Sequence, residues 1–300
     1  MSDLLPSFLG LAEADSGRSP ARCRVLPVPF EATVSYEGGT ANGPRAILEA
    51  SAHVELYDRS VGDDAYVQYG VATLAAFQEP APDAEAFVDG LATYIAKHFD
   101  PERLIVGLGG EHTVTVGLAR GTRRALGRPL TLVQIDAHAD LRDEYESNRY
   151  SHACVARRLL DEGVGEVVQF GIRSVCLEEA QLIDRDPRVH VYWADEIHDD
   201  RGGDYLQTAA RLLAGTDVYL TIDVDGLDPG VIPATGTPEP NGLTWRQTLE
   251  IIKTVTSAAT VVGMDVVELA PRRGLHAADF AAAKLTYQAV NLIAAGRDWM

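Results

Sequence analysis

Thr131-Leu132-Val133-Gln134-Ile135-Asp136-Ala137-His138-Ala139-Asp140 is a run of apolar, strand-forming residues that ends in three side chains able to hold a metal ion. In an extended backbone residues i, i+2 and i+4 point to one side, so Asp136, His138 and Asp140 are expected to converge just past a buried strand. A second run, Val218-Tyr219-Leu220-Thr221-Ile222, ends in Asp223-Val224-Asp225, again two carboxylates at a spacing of two. Strand ends that deliver carboxylates to one side are suited to form the walls of a metal site.

Outward from these runs the chain alternates strand-like and helix-like segments, the pattern of an α/β protein with a mostly parallel sheet. Strands are predicted over Arg24–Val28, Leu104–Leu108, Thr131–Ile135, Val167–Ile172, Val189–Trp193, Val218–Ile222 and Thr260–Val267. Helices are predicted over Pro44–Ala52, Asp83–Lys97, Val114–Ala125, His152–Glu162, Cys176–Asp184, Asp204–Ala214, Thr244–Ser257 and Ala277–Ala295. Several strands are apolar on both faces, as expected where helices cover both sides of the sheet. No internal repeat or interdomain linker is evident, so an N-terminal extension over 1–20, poorly ordered in part, and a single domain over 21–300 are expected. In open parallel sheets ligands gather outside the carboxyl ends of the strands, where the residues above lie.

The chain has 300 residues, 46% hydrophobic and 23% charged, which is the balance of a soluble globular protein. No apolar stretch approaches the roughly 18 residues that span a bilayer, and the N-terminus lacks the pattern of a signal peptide. Cys23, Cys154 and Cys176 are too scattered for a disulfide framework. A cytoplasmic protein is expected, without membrane attachment. The net charge of −18 argues against a nucleic-acid partner; it would favour the approach of a small cation, the alternative being that it serves solubility alone.

A third strand end joins the first two. Leu104-Ile105-Val106-Gly107-Leu108 leads into Gly109-Gly110-Glu111-His112-Thr113, which places His112 just beyond a buried strand and at the opening of a helix. The paired glycines allow backbone conformations and close approaches closed to other residues. Together His112, Asp136, His138, Asp140, Asp223 and Asp225 make a donor set rich in oxygen, with some nitrogen and no thiolate. It exceeds what one ion needs, so carboxylates bridging two metals are expected, with Mn(II) favoured over Zn(II). Two close divalent ions can acidify a water and make it a nucleophile near neutral pH, which points to metal-assisted hydrolysis.

Gly109-Gly-Glu-His-Thr113, Asp136-Ala-His-Ala-Asp140 and Asp223-Val-Asp-Gly-Leu-Asp-Pro229, in that order, resemble the signatures of the ureohydrolase family of arginases and agmatinases. Tyr36–Ile47, Thr235–Pro240 and Asp265–Glu268 resemble further family segments, so the likeness runs over roughly residues 20 to 295. It implies a three-layer α/β/α sandwich and two Mn2+ ions per subunit. His112, Asp136, Asp140 and Asp223 would hold one ion, and Asp136, His138, Asp223 and Asp225 the other, with Asp136 and Asp223 bridging. It also implies a homo-oligomer, a trimer or hexamer. Glu111 stands where many family members carry Asp, and is read as a tolerated change beside the ligand.

The reaction implied is hydrolysis of a guanidino group to urea and an amine. Glu268 matches the carboxylate that binds the guanidinium through paired hydrogen bonds, the alternative being an ion pair with Arg272 or Arg273. His152 matches the proton shuttle to the leaving amine, the alternative being a helix-start residue beside a Ser151 cap. The segments His138–Glu146 and Gly171–Ser174 resemble agmatinases more than arginases, so agmatine, cleaved to putrescine and urea, is the expected substrate. Asp143, Glu144 and Glu146 would suit its distal cation, whereas Arg142 or Arg149 could meet a carboxylate. Aminopropylagmatine, guanidinobutyrate and arginine are the alternatives, and a non-catalytic metal-binding assembly protein is the reading of a different class.

Overall fold

A computed structural model describes residues 5–12, 17 and 20–300. Eight strands form one sheet: β1 (Cys23–Val28), β2 (Val71–Thr73), β3 (Leu104–Gly109), β4 (Thr131–Ile135), β5 (Glu166–Ile172), β6 (Val189–Trp193), β7 (Asp217–Asp223) and β8 (Thr260–Val267). Their order is β2-β1-β3-β8-β7-β4-β5-β6, and every pairing is parallel. The helices between them are α1 (Gly43–Ser51), α2 (Tyr66–Tyr69), α3 (Ala84–His98), α4 (Val114–Leu126), α5 (Val155–Asp161), α6 (Leu177–Arg185), α7 (Ala194–Asp199), α8 (Asp204–Leu213), α9 (Trp245–Ala258) and α10 (His276–Gly296).

Alternation along the strands divides the core into two layers, giving an α/β/α sandwich. Val133 and Ile135 of β4 pack with α1, α8, α9 and α10, whereas Leu132 packs with α3, α4 and α5 on the opposite face. Burial on both faces accounts for the near-continuous apolar runs. Helix starts follow local chemistry. Asp83 accepts from Ala86 N at 2.8 Å before α3, and Thr244 forms a reciprocal capping box with Gln247 before α9.

Three predicted strands coincide with observed ones in full, and the other four differ by one residue at one or both ends. The helix predicted over His152–Glu162 is instead a 3-10 turn at His152–Cys154 followed by α5. Ser151 takes the start of that turn, and its hydroxyl accepts from Ala153 N. Strand β2 and helices α2 and α7 went unforeseen because three to six residues are too short to display a period. Of the N-terminal extension, 1–4, 13–16, 18 and 19 lie outside the described residues. Phe8–Gly10 forms a 3-10 turn that buries Phe8 and Leu9, with Phe8 N donating to Thr73 Oγ1 at 2.8 Å. No helix among the described residues is long and apolar enough to cross a membrane.

Candidate active site

The chain passes from β3 to β4 by skipping two sheet positions, which β8 and β7 later fill. The candidate residues follow four strands that are contiguous in the sheet: His112 after β3, Glu268 after β8, Asp223 and Asp225 at β7, and Asp136 to Asp140 after β4. Glu268 thereby follows the strand that lies between β3 and β7. All lie at the carboxyl ends, where a parallel sheet opens its crevice.

Local backbone brings each side chain in. After β3, Gly110 N donates to Val28 O at 3.0 Å and Glu111 N to Phe30 O at 2.9 Å. A Cβ on Gly110 would lie 2.0 Å from Phe30 O, so glycine serves here for close approach. After β4 the expected extended alternation does not continue. The strand ends at Ile135, His138 makes an isolated bridge to Ser174, and Asp140 takes a left-handed φ of 52°. Asp136, His138 and Asp140 still converge, through a turn and a backbone state that non-glycine residues seldom adopt. After β7 a 3-10 turn, Val224–Gly226, folds back so that Asp223 Oδ1 accepts Asp225 N at 2.8 Å. A Cβ at Gly226 would sit 2.7 Å from Asp136 N, so only glycine lets these two strand ends approach.

His112 Nδ1 lies 3.2 Å from Asp136 Oδ2, 2.9 Å from Asp140 Oδ2 and 3.4 Å from Asp223 Oδ2. His138 Nδ1 lies 3.1 Å from Asp225 Oδ2 and 3.6 Å from Asp136 Oδ1. Two groups follow, His112–Asp136–Asp223 and Asp136–His138–Asp225, and Asp136 belongs to both. Among the described residues no lysine or arginine forms an ion pair with these carboxylates. Burial opposes charge on His112, yet Asp136, Asp140 and Asp223 outweigh it and hold the imidazole well above its usual range. Burial likewise opposes charge on His138, and Asp225 and Asp136 raise it. Burial and then the Asp136 charge push Asp140 up to about 7, and burial with the Asp225 and Asp136 charges raises Asp223 well above its usual value. Asp136, though buried, is held well below its usual value by His112 and His138. His112 Nδ1 and Asp140 Oδ2 face each other, buried, and neither makes an aligned hydrogen bond. A buried cluster of carboxylates and imidazole nitrogens in which His112 Nδ1 and Asp140 Oδ2 point inward unpaired fits a divalent cation centre.

Residues that the sequence reading left out hold this cluster from behind. Gln134 Nε2 donates to Asp136 Oδ2 at 2.7 Å, and Gln169 Nε2 donates to Gln134 Oε1 at 2.8 Å. His112 Nε2 meets Thr221 Oγ1 at 2.9 Å, and that hydroxyl donates to Asp265 Oδ1 at 2.6 Å. Asp265 Oδ2 also accepts from Thr115 and Tyr219. Gln169, Gln134, Thr221 and Asp265 are register partners on β5, β4, β7 and β8, so a polar row crosses the centre of the sheet. The available signal was a polar residue two places before a ligand in an apolar strand, at Gln134 and at Thr221.

A cavity of about 270 Å³ opens onto the cluster, lined by His112, His138, Asp140, Asp223, Asp225 and Glu268 from below and by Tyr36, Arg142, Tyr145 and His152 among others above. Glu268 is buried at φ 64°, with Oε1 accepting His112 N at 2.6 Å. Burial first, and the Glu111 charge next, raise its carboxyl well above the usual range. The alternative of a pair with Arg272 or Arg273 is not seen, and Arg272 instead meets Glu37 at 3.2 Å. His152 lies edge-on to Tyr145, and burial above all, aided by the His112 and His138 charges, lowers its imidazole to about 4. The acidic stretch expected to greet a substrate cation does not line the cavity. Asp143 is engaged by Arg149 at 2.9 Å and Arg158 at 2.5 Å, and Glu144 and Glu146 are exposed elsewhere.

The model of the arginase family matches residues 21–291. The chain belongs to the arginase family. This arginase-family protein is 39% identical over 281 residues to an N(1)-aminopropylagmatine ureohydrolase of Synechocystis sp., covering 92% of this chain and 90% of the relative. It is 34% identical to an agmatinase of Bacillus cereus, covering 82% and 83%. Its fold superposes on an agmatine ureohydrolase of Thermoplasma volcanium with a TM-score of 0.82 at 33% identity, covering 99% and 95%. It is an arginase-family ureohydrolase, an enzyme that cleaves amidino groups.

Proposed function

We propose that this ureohydrolase hydrolyses a guanidino-terminated polyamine, with N(1)-aminopropylagmatine ahead of agmatine. The likeness to an N(1)-aminopropylagmatine ureohydrolase over nine-tenths of both chains carries the substrate reading, and reverses the order expected from the sequence. His112, Asp136, Asp140 and Asp223 would hold one Mn2+, and Asp136, His138, Asp223 and Asp225 the other. The inward-facing, unbonded His112 Nδ1 and Asp140 Oδ2 support that set. When bound there, such ions would supply Lewis acidity and lower the pKa of a water toward neutrality.

The chain's own residues do the rest. Glu268 offers its second carboxylate oxygen to the planar guanidinium while Oε1 is held by His112 N–H. A guanidinium there relieves the cost of a charged buried carboxylate. His152 at the cavity wall, neutral above about pH 4, would take up the proton that the attacking water loses and pass it to the departing amine. On this reading the enzyme is a cytoplasmic homo-oligomer.

A second reading rests on Arg142, which lines the cavity with its guanidinium 5.0 Å over the Tyr145 ring. A cation there suits a substrate ending in a carboxylate, such as 4-guanidinobutyrate. Urea release by manganese-loaded protein from N(1)-aminopropylagmatine, agmatine, 4-guanidinobutyrate and arginine separates the two. The polyamine reading requires that N(1)-aminopropylagmatine or agmatine has the highest kcat/KM and that Asp136→Asn abolishes turnover. Preference for 4-guanidinobutyrate, lost in Arg142→Ala, would replace it.

A further inference from the structure

Glu111 is fully buried, yet its carboxylate faces away from the ligand cluster, toward the loop that follows β1. Its Oε2 accepts Ala32 N and Thr33 N, each at 2.7 Å, and its Oε1 accepts the Thr33 hydroxyl at 2.9 Å. Thr33 Oγ1 in turn lies 3.0 Å from His152 N and 3.2 Å from His152 Nδ1. A hydroxyl has one hydrogen to give and two lone pairs. The hydrogen goes to Glu111, and one lone pair takes the His152 backbone N–H. The remaining lone pair can only accept, so Nδ1 must carry the hydrogen that meets it. Ser151 Oγ is the other, more distant polar neighbour of Nδ1, at 3.4 Å; it accepts Ala153 N with one lone pair and has a second lone pair with which it can also accept from Nδ1–H. Nε2 is then bare in the neutral ring, beside Ser35 Oγ at 3.5 Å.

We propose that Glu111 and Thr33 are positioning residues that fix His152 as its Nδ1–H tautomer and leave Nε2 as the proton-carrying atom. Glu111 therefore ties the turn that presents His112 to the loop carrying Ser35 and Tyr36, and through Thr33 to His152. The catalytic consequence rests on the reading of His152 as proton carrier, whereas the tautomer does not.

Replacing Glu111 by glutamine inverts the hydrogen-bond direction. The two backbone N–H groups hold the amide oxygen, so the amide NH2 faces Thr33 Oγ1 and donates to it. The Thr33 hydrogen then turns to Nδ1, which favours the Nε2–H tautomer. Thr33→Val removes the acceptor altogether, and Thr33→Ser keeps it.

Solid-state 15N spectra of histidine-labelled full chain, loaded with diamagnetic Mg2+ and assigned with His152→Asn, read the tautomer directly. The expected result is Nδ1–H in the native protein and in Thr33→Ser, a switch to Nε2–H in Glu111→Gln, and a mixture in Thr33→Val. With manganese, kcat should fall about tenfold or more in Glu111→Gln and Thr33→Val while KM stays within about twofold, and Thr33→Ser should hold the native kcat. An Nε2–H tautomer in the native protein, or no change of tautomer in Glu111→Gln and Thr33→Val, overturns the proposal. Should Glu111→Gln fail to fold or to bind metal, the Thr33 pair decides. Failure of the native enzyme on every guanidino compound would refute the functional reading and leave the tautomer result intact.

Discussion

A half-buried imidazole close to two others gives up its proton early, and His152 carries that cost into the stability of the fold. Its folded-state value of about 4 lies below the ordinary 6.5, so between those values the unfolded chain binds more protons than the folded one. Its contribution is therefore intact above pH 6.5, is lost as the pH falls toward 4, and changes no further below that. In His152→Ala this penalty disappears. Between pH 8 and pH 5, urea unfolding of the manganese-free protein should show the native chain losing on the order of 1 kcal/mol more than the variant, after allowing for the partial exposure of the ring. Equal losses would mean that His152 titrates normally. At this scale the sequence was readable where donors stand close together, as in Asp136-Ala-His-Ala-Asp140. It was silent where the partner is distant: Glu111 meets Thr33 across 78 residues, and neither residue advertises the other.

Strands read as apolar on both faces turn out to carry a single polar row, and that row explains how a buried parallel sheet can aim a polar site. Gln134 and Thr221 sit at matched register, two places before Asp136 and Asp223, so each strand supplies both a donor at its end and the group that orients a donor. Groups behind the ligands of a metal site commonly change its affinity 10- to 100-fold. Asp265 anchors the His112 side, because its carboxylate takes hydroxyl hydrogens from Thr115, Tyr219 and Thr221. Asp265→Ala would strand three buried hydroxyls, and we expect roughly 3 kcal/mol or more of lost stability together with a 10- to 100-fold weaker manganese affinity. Asp265→Asn, which keeps one acceptor oxygen and turns the other into a donor, should recover only part of the stability. Calorimetric titration of manganese with parallel urea melts tests both, and native affinity in Asp265→Ala would deny the row any part in the metal site. Element limits were largely legible because period and capping are local, whereas register is a property of pairs of strands and could not be read from any one of them.

Sheet order is the property of the whole molecule that makes the site, and no segment contains it. Four strand ends separated by up to 156 residues become neighbours because β8 and β7 fill the gap left between β3 and β4. The outcome is a buried pocket in which, among the described residues, Asp136, Asp140, Asp223 and Asp225 form ion-pair contacts with His112 and His138 and with no lysine or arginine. Such a pocket must draw in either protons or metal ions, and the two compete. Manganese binding requires His112 and His138 to be neutral and the carboxyls ionised, so loading releases protons and strengthens as the pH rises. A ligand that binds only the folded state adds about 2.7 kcal/mol at a free concentration 100 times its dissociation constant. Stripping the metals with a chelator should therefore lower the melting temperature by several degrees, and the gap between loaded and stripped protein should be wider at pH 8 than at pH 6. Asp136→Asn, which weakens the residue common to both groups, should close most of that gap at either pH. A gap that is absent, or that narrows with rising pH, would mean that the cluster is held together by its own protons and ion pairs and not by bound cations.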